Sequence, residues 1–341
     1  MMKQIELYFA PLEGVTDVWF RNIHARLFPN TCTRYFAPFF TPTKDNLLTQ
    51  RDRFALSHEN NHGCIPIPQI MGNDPELFLA AARELAAMGY DEVNLNLGCP
   101  SGTVVSKKRG AGFLSETDLL DSFFDTVFND SLFSPPGVSA RMRISVKTRL
   151  GMFSIDEFPD ILAILNRYPI AELILHPRLR TEMYRGEIHS DMTAYTIQHT
   201  NHPLCCNGDL FSYADVLALQ KQLPKMPHAF MLGRGAVANP NLFKEVRQAL
   251  AGETVTTLTK NQLQQFSDAM LEDAKSRLSG ERHVLFRMKE LWSYWITLFE
   301  DADADRKRMK KATTLSEFCA ATASLFARCP LSPNPTFSPD C

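Results

Sequence analysis

The chain has 341 residues, 45% hydrophobic and 22% charged, with a formal net charge of −2. Such a chain can bury one large core plus a smaller one, and its near-neutral balance excludes a global basic field, so any nucleic-acid site must be a local patch. The start Met1-Met2-Lys3-Gln4-Ile5-Glu6 has no apolar core of signal-peptide length and no uncharged stretch approaches a membrane span, so no membrane partner is expected.

Apolar runs predict a first strand over Leu7–Ala10, leaving through Pro11-Leu12-Glu13-Gly14-Val15-Thr16-Asp17, and a second over Thr33–Phe36. A third, Ile65–Ile70, carries Gln69 and precedes a helix over Pro75–Met88. The fourth, Glu92–Asn96, alternates and runs into Leu97-Gly98-Cys99-Pro100-Ser101, with a helix over Glu116–Phe128 behind it. The fifth, Ile144–Thr148, holds Lys147 and leads to Arg149 and a helix over Ile155–Asn166. The sixth, Glu172–His176, ends His176-Pro177-Arg178. The seventh, Leu204–Cys206, ends Asn207-Gly208-Asp209, before a helix over Tyr213–Gln222. The eighth, Ala229–Leu232, ends Gly233-Arg234-Gly235-Ala236, before a helix over Pro240–Ala249.

Eight β–α units predict a (β/α)8 TIM barrel over residues 1–250, with a doubly wound open sheet as the competitor. Beyond the linker expected at Ala251-Gly252-Glu253-Thr254 the strand signal stops. Helical spacing over Gln262–Leu278, His283–Phe299 and Arg306–Ala327 predicts a smaller all-helical domain, residues 255–328. Residues 329–341 are proline-rich and read as an unpacked tail. None of the eight cysteines forms a C-x-x-C pair, so a metal site has little support and reduced thiols in a cytoplasmic protein are expected. No motif encodes an oligomer, and a monomer is favoured.

The polar, glycine and proline signatures fall at the C-terminal ends of the strands, the face of a barrel that hosts chemistry. Gly98-Cys99-Pro100 alone could be a small buried cysteine closing a strand. Seven such coincidences on one face argue for a site. Asn207-Gly208-Asp209 and Gly233-Arg234-Gly235 follow strands seven and eight, the usual phosphate position in this fold, where glycine lets backbone N–H groups approach and Arg234 adds charge. Gly233-Arg234-Gly235-Ala236-Val237-Ala238 also matches a dinucleotide fingerprint, but no second strand carrying an acid follows it.

These motifs, in this order, with Gly110-Ala111-Gly112 and Val146-Lys147-Thr148-Arg149, resemble the tRNA-dihydrouridine synthases. The resemblance covers roughly the first 245 residues by motif and the rest by architecture. It implies an FMN-bearing barrel with a helical tRNA-binding domain, NADPH or NADH as reductant, and reduction of the C5–C6 bond of a uridine in tRNA. Pro11, Leu12 and Glu13 would lie beside the FMN ring and Gln69 at its polar edge. Lys147 would face the N1/C2 region, and His176 would flank flavin and base. Asn207, Gly208, Asp209, Gly233 and Arg234 would hold the phosphate. Cys99 would be the proton donor. On the substrate side, Asn96, Lys107, Lys108, Arg109, Arg149, Arg178 and Arg287 are expected. The sequence departs from the family pattern at Leu12, commonly Met; at Pro177 in the loop after strand six; and in the irregular stretch with Pro135-Pro136-Gly137.

A cysteine acting as general acid must keep its proton, so no adjacent cation should strongly depress its pKa. A uridine in folded tRNA must leave the stack to reach such a site. Residues 254–328 hold twelve Lys/Arg against ten Asp/Glu, so RNA contact is expected from concentrated runs: Lys107-Lys108-Arg109 just past Cys99, and less so Arg306–Lys311, which reads as a solvated helix face. Trp292, Tyr294 and Trp295 read as helix-packing residues. Two rivals stay open: a barrel flavoenzyme reducing a free small molecule, and a catalytically silent RNA-binding paralogue.

Overall fold

The strands alternate, and alternation sorts the barrel. In β4 (Glu92–Leu97), Val93, Leu95 and Leu97 point outward into the helix layer, and Glu92, Asn94 and Asn96 point inward. The partner β5 (Arg143–Thr148) repeats this, with Asn94 opposite Ser145 and Asn96 opposite Lys147. On β1 (Glu6–Phe9), β6 (Glu172–Leu175), β7 (Leu204–Asn207) and β8 (Ala229–Leu232) the inward positions are mainly apolar: Tyr8, Ile174, Cys205, Ala229 and Met231 form a small interior core. One wall of the barrel interior is therefore polar and the opposite wall apolar.

The computed structural model describes residues 5–133, 142–333 and 335. Among them, eight parallel strands follow the order β2-β1-β8-β7-β6-β5-β4-β3, with β2 at Arg34–Tyr35 and β3 at Gln69–Ile70. Parallel bridges Phe36 to Ile67 and Phe40 to Ile70 join β2 to β3 and close the circle. Expected and observed strands agree to within a few residues; β3 is the exception, since only its last two residues make a regular strand. The stretch with Pro135, Pro136 and Gly137 lies outside the described residues.

The helices alternate with the strands: α1 Val18–Leu27, α2 Gln50–Leu56, α3 Pro75–Ala87, the short α4 Gly102–Val105, α5 Thr117–Phe128, α6 Phe158–Leu165, α7 Ser190–His199, α8 Tyr213–Gln222, the short α9 Arg234–Ala238 and α10 Leu242–Leu250. The C-terminal region holds α11 Lys260–Arg277, α12 Glu281–Trp295, α13 Asp303–Lys311 and α14 Leu315–Arg328. Helix α1, not evident from periodicity, is capped by Asp17, whose carboxylate accepts the Phe20 N–H at 2.9 Å. The single helix expected over Arg306–Ala327 is two, because Thr314 and Glu317 form a capping box that starts α14 afresh. None of these helices is long and apolar enough to cross a membrane.

The linker is tied down. Leu258 N–H donates to Glu245 at 2.9 Å and Asn241 Nδ2 donates to the Thr256 carbonyl at 2.9 Å. Phe20 and His24 of α1 meet Phe266 of α11 edge-on, and Trp295 Nε1 donates to the Val237 carbonyl at 2.9 Å. Barrel and helical region thus share one apolar core. The tail expectation needs correcting at its start: Cys329 is buried, Leu331 bridges Phe299, and Ser332 N–H bonds the Leu298 carbonyl at 2.8 Å. Residues 334 and 336–341 lie outside the described residues.

The N-terminal end of the barrel is plugged by charge. Arg34 spans Glu92 and Glu172, Arg143 also meets Glu92, and Tyr8 Oη donates to Glu172 at 3.0 Å. Burial pushes the Glu172 carboxyl up to about 7, against the pull of Arg34 and Tyr8. Arg34→Met removes the shared cation and leaves two buried acids facing each other. The expected cost is about 3–5 kcal/mol, the usual scale for breaking a buried pair, read as a lower urea midpoint. An unchanged midpoint would show that Arg34 is not what neutralises this plug.

Candidate active site

At the opposite end, the strand termini surround a cavity of about 420 Å³, within the roughly 300–1,000 Å³ usual for small-molecule and cofactor sites. It is lined by Pro11, Leu12 and Glu13 after β1, Gln69 on β3, Asn96, Gly98 and Cys99 from β4, and Lys147 and Arg149 from β5. His176 follows β6, Asn207, Gly208 and Asp209 come from β7, and Gly233 and Arg234 follow β8. Every residue expected at a cofactor is on this wall, as are Cys99, Asn96 and Arg149.

Cys99 is positioned from inside the barrel. Asn94 Nδ2 donates to Ser145 Oγ at 2.9 Å, and Gln69 Nε2 donates to Asn94 Oδ1 at 2.7 Å. Asn96 Nδ2 donates to Gln69 Oε1 at 2.8 Å, and Asn96 Oδ1 accepts the N–H groups of Gly98 and Cys99 at 2.9 Å each. This relay folds the chain into a turn at the strand end. Gly110 closes it from outside: its φ is +54°, and a Cβ there would meet the Cys99 carbonyl oxygen at 2.8 Å. The Ala111 N–H donates to that same oxygen at 3.0 Å. Gly110-Ala111-Gly112 is thus the glycine-dependent backing of the cysteine turn.

The electrostatics are cationic. Burial, then the like charge of Arg149, lowers Lys147 to about 8. Burial and four neighbouring cations, Arg149 first, hold His176 well below its ordinary value, so its ring is neutral. Among the described residues, buried His176 Nε2 has no hydrogen-bond partner. Burial also raises the Cys99 thiol above its ordinary value, outweighing a backbone hydrogen bond at Ser101 and the charges of Arg149 and Lys147, so sulfur keeps its proton. Glu13 is raised by burial as well. Asp209 accepts from Arg178 Nη1 at 2.8 Å and Arg234 Nη2 at 2.6 Å, and Asn207 Nδ2 donates to the Met231 carbonyl at 2.7 Å.

The structure places two of the expected substrate residues elsewhere. Arg178 is 3% exposed, forked onto Asp209 and the Gly186 carbonyl, so its donors are used inside the chain. Arg287 donates to the Gly14 and Val15 carbonyls at 2.6 and 2.8 Å and to Asp17 at 3.2 Å, docking α12 on the loop after β1. Arg149 lines the cavity yet donates to the Gly98 and Leu179 carbonyls at 2.9 and 3.0 Å. On the basic loop Lys107 is exposed, Lys108 pairs with Glu116 at 3.0 Å, and Arg109 Nε bonds Asn73 at 3.4 Å.

Pro38, Phe39, Tyr184, Leu210, Phe211 and Tyr294 line the cavity without having been anticipated, and the two tyrosines bear most on the site. Tyr184, after β6, lies over the guanidinium groups of Arg149 and Arg234, 5.1 and 5.2 Å from its ring centre, and no spacing flagged it. Tyr294 also lines the cavity, whereas Trp292 and Trp295 pack as expected. Its signal was present: Val284, Met288, Leu291 and Trp295 form the buried stripe of α12, and Tyr294 falls out of phase with it.

The thiol shift has a consequence for reactivity. Alkylation of Cys99 by iodoacetamide, followed by peptide mapping against pH, is expected to have its midpoint above that of free cysteine. A midpoint below it would mean that the hydrogen bond at Ser101 and the cations, not burial, dominate at the sulfur.

The geometry agrees with comparisons to known proteins. The family model described as dihydrouridine synthase matches residues 8–328. A protein of Staphylococcus aureus strain Mu50 named probable tRNA-dihydrouridine synthase is 30% identical over 261 residues, covering 73% of this chain and 74% of its own. The tRNA-dihydrouridine synthase B of Proteus vulgaris is 26% identical over 295 residues, covering 83% and 86%. Among solved structures, an Old Yellow Enzyme from Pichia sp. AKU4542 aligns over 75% of this chain and 86% of its own, at 14% identity and a TM-score of 0.45. The match of the family model across barrel, cysteine turn and helical region alike shows that the chain belongs to the dihydrouridine synthase family.

Proposed function

We propose that this protein reduces the C5–C6 bond of uridines in tRNA to give 5,6-dihydrouridine, with bound FMN, NADPH or NADH as reductant, and Cys99 as proton donor. The observation that carries this reading is a protonated, positioned thiol in the same cavity as a buried lysine and an unpartnered neutral histidine, in a chain of this family.

The residues present fit a flavin. His176 offers a buried Nε2 that lacks a partner among the described residues. Arg234 and the backbone of Gly208 and Gly233 would hold the phosphate, Lys147 and Gln69 the polar edge of the ring, and Pro11, Leu12 and Glu13 its side. Bound there, the flavin would supply the hydride for uridine C6.

The chain's own groups supply the rest. As C6 is reduced, negative charge develops on the C4 carbonyl of the base and C5 must take a proton. Cys99, held by Asn96, gives that proton from sulfur, and the raised thiol keeps it available at neutral pH. Regenerating the thiol needs one proton from solvent. The helical region with Tyr294 on the cavity wall, and the basic loop beside Cys99, would receive the tRNA around a flipped uridine. The domain roles, barrel for chemistry over 1–250 and helices for tRNA over 255–328, are part of this proposal.

Purified protein is expected to be yellow and to release FMN; release of FAD, or a colourless protein that binds tRNA, would sink the cofactor assignment. Arg234→Ala should weaken FMN retention by about 1.5–3 kcal/mol, the scale of a hydrogen bond to a charged group. Replacing Lys107, Lys108 and Arg109 with alanine should weaken tRNA binding and flatten its salt dependence, while NADPH oxidation without tRNA stays unchanged. An unaltered salt slope would show that loop to be solvated surface only.

Cys99→Ala separates the half-reactions. Hydride entry needs no proton at C5, so flavin should still bleach with NADPH. Dihydrouridine formation should fall by about 10²–10⁴-fold, the scale for a positioned general acid. Cys99→Ser should be partly or wholly defective, and Cys205→Ala nearly intact. Parental dihydrouridine formation by flavin-loaded Cys99→Ala would end the acid role, and reduction of free uridine in preference to tRNA would favour a small-molecule reductase.

A further inference from the structure

Beside the cavity mouth, three strand-end loops meet. The Arg180 N–H donates to the Gly151 carbonyl at 2.9 Å, joining the loops after β6 and β5, and a Cβ on Gly102 would lie 4.0 Å from Arg180 Nη2, which brings in the cysteine loop after β4. On this rim Phe153 is 70% exposed, the most exposed of the large hydrophobic residues described. Met183 and Tyr184 on the next loop are 39% and 45% exposed. Scattered exposed apolar residues need no explanation, so exposure alone decides nothing.

The backbone pedestal under Phe153 is ordered by the cap of the helix that follows, with Ser154 as N-cap and Glu157 closing a capping box. The N–H groups of Met152, Phe153 and Ser154 all donate to the Glu157 carboxylate, at 2.8 Å each. Gly151 makes room for it, since a Cβ there would meet Glu157 Oε2 at 2.7 Å. Thr181 Oγ1 donates to the Met152 carbonyl at 3.2 Å. A backbone this heavily bonded holds an aromatic ring in water, four residues from cavity-lining Arg149. Burial gains nothing from that arrangement, whereas a flat ligand gains a platform whose backbone is already ordered.

We propose that Phe153 is a stacking platform for a nucleobase of tRNA next to the target uridine. The inference rests on the tRNA substrate proposed above. A uridine that leaves its stack uncovers the faces of its neighbours. An aromatic ring on a rim that also carries arginines, here Arg180 and exposed Arg185 on the loop after β6, is a surface that takes an uncovered base regardless of its identity. Lys107, exposed farther along the cysteine loop, offers charge for the tRNA phosphates. Phe153 is then a positioning residue, acting on tRNA placement and not on the proton or hydride.

The test uses the flavin-loaded full chain and a tRNA transcript. Dihydrouridine formation by the parent is established first; its absence would sink the proposed function, an outcome distinguishable from any effect of Phe153. In an active parent, Phe153→Ala is expected to lower kcat/KM for tRNA by about 5- to 150-fold, the worth of one stacked base, mainly through KM. Phe153→Trp should retain parental activity. Flavin content, melting temperature and tRNA-free NADPH oxidation should be unchanged in both. Glu157→Gln, which keeps one acceptor oxygen but weakens the pedestal, should fall between. Parental kcat/KM for Phe153→Ala, an equal loss in Phe153→Trp, or a loss of flavin or stability would each overturn the assignment. So would a dimer in light scattering that Phe153→Ala dissolves, which would give the rim to a second copy of the chain.

Discussion

The relay of amides inside the barrel is what the rest of the site depends on. Ser145, Asn94, Gln69 and Asn96 pass hydrogen bonds from mid-barrel to the backbone of Cys99. Polar groups in a dry interior are stable only when paired, and a connected network loses more than one bond when one member goes. The relay works because Asn94 and Asn96 sit two residues apart on one face of β4, beside the matching face of β5. The same alternation sends Val93, Leu95 and Leu97 to the helix layer, so a single strand supplies core packing outward and site geometry inward.

Charge is sorted between the two ends of the barrel. At the N-terminal end Arg34 and Arg143 are matched by Glu92 and Glu172, an arrangement that serves stability. At the C-terminal end Lys147, Arg149, Arg178 and Arg234 gather around Asp209 and a neutral His176. That excess of cation suits an anionic ligand. At Cys99 burial exceeds the combined pull of a backbone hydrogen bond at Ser101 and of Arg149 and Lys147. A thiol that stays protonated within a cationic site is suited to give a proton and poorly suited to attack as a nucleophile.

The helical region is part of the site as well as an attachment to it. Arg287 fastens α12 to the loop after β1, Trp295 anchors the same helix on the barrel, and Tyr294 between them reaches the cavity wall. Residues of α12 therefore fix the position of Glu13 and its neighbours. In this chain the distinction between a residue that packs and a residue that lines the site comes down to one step of helical phase.

Sequence by itself determined the strands, their order and the face that carries the site. Periodicity of two and turn chemistry are local, and the glycine, proline and polar motifs fall where strands end. It also determined the family, because Asn96-Leu97-Gly98-Cys99-Pro100-Ser101, Gly110-Ala111-Gly112 and the two glycine loops are contiguous in sequence. The cavity residues so named lie together. Tertiary structure decided whatever depends on partners distant in the chain. Barrel closure rests on bridges between Phe36 and Ile67, a contact no periodicity encodes. Arg178 and Arg287 were expected on the substrate side, and only folding shows Asp209, Gly186, Gly14 and Val15 taking their donors. Tyr184 carries no local signature, since its place over Arg149 and Arg234 is made by loops from three strands. A charged side chain's role is set by what the fold brings to it, and spacing along the chain does not record that.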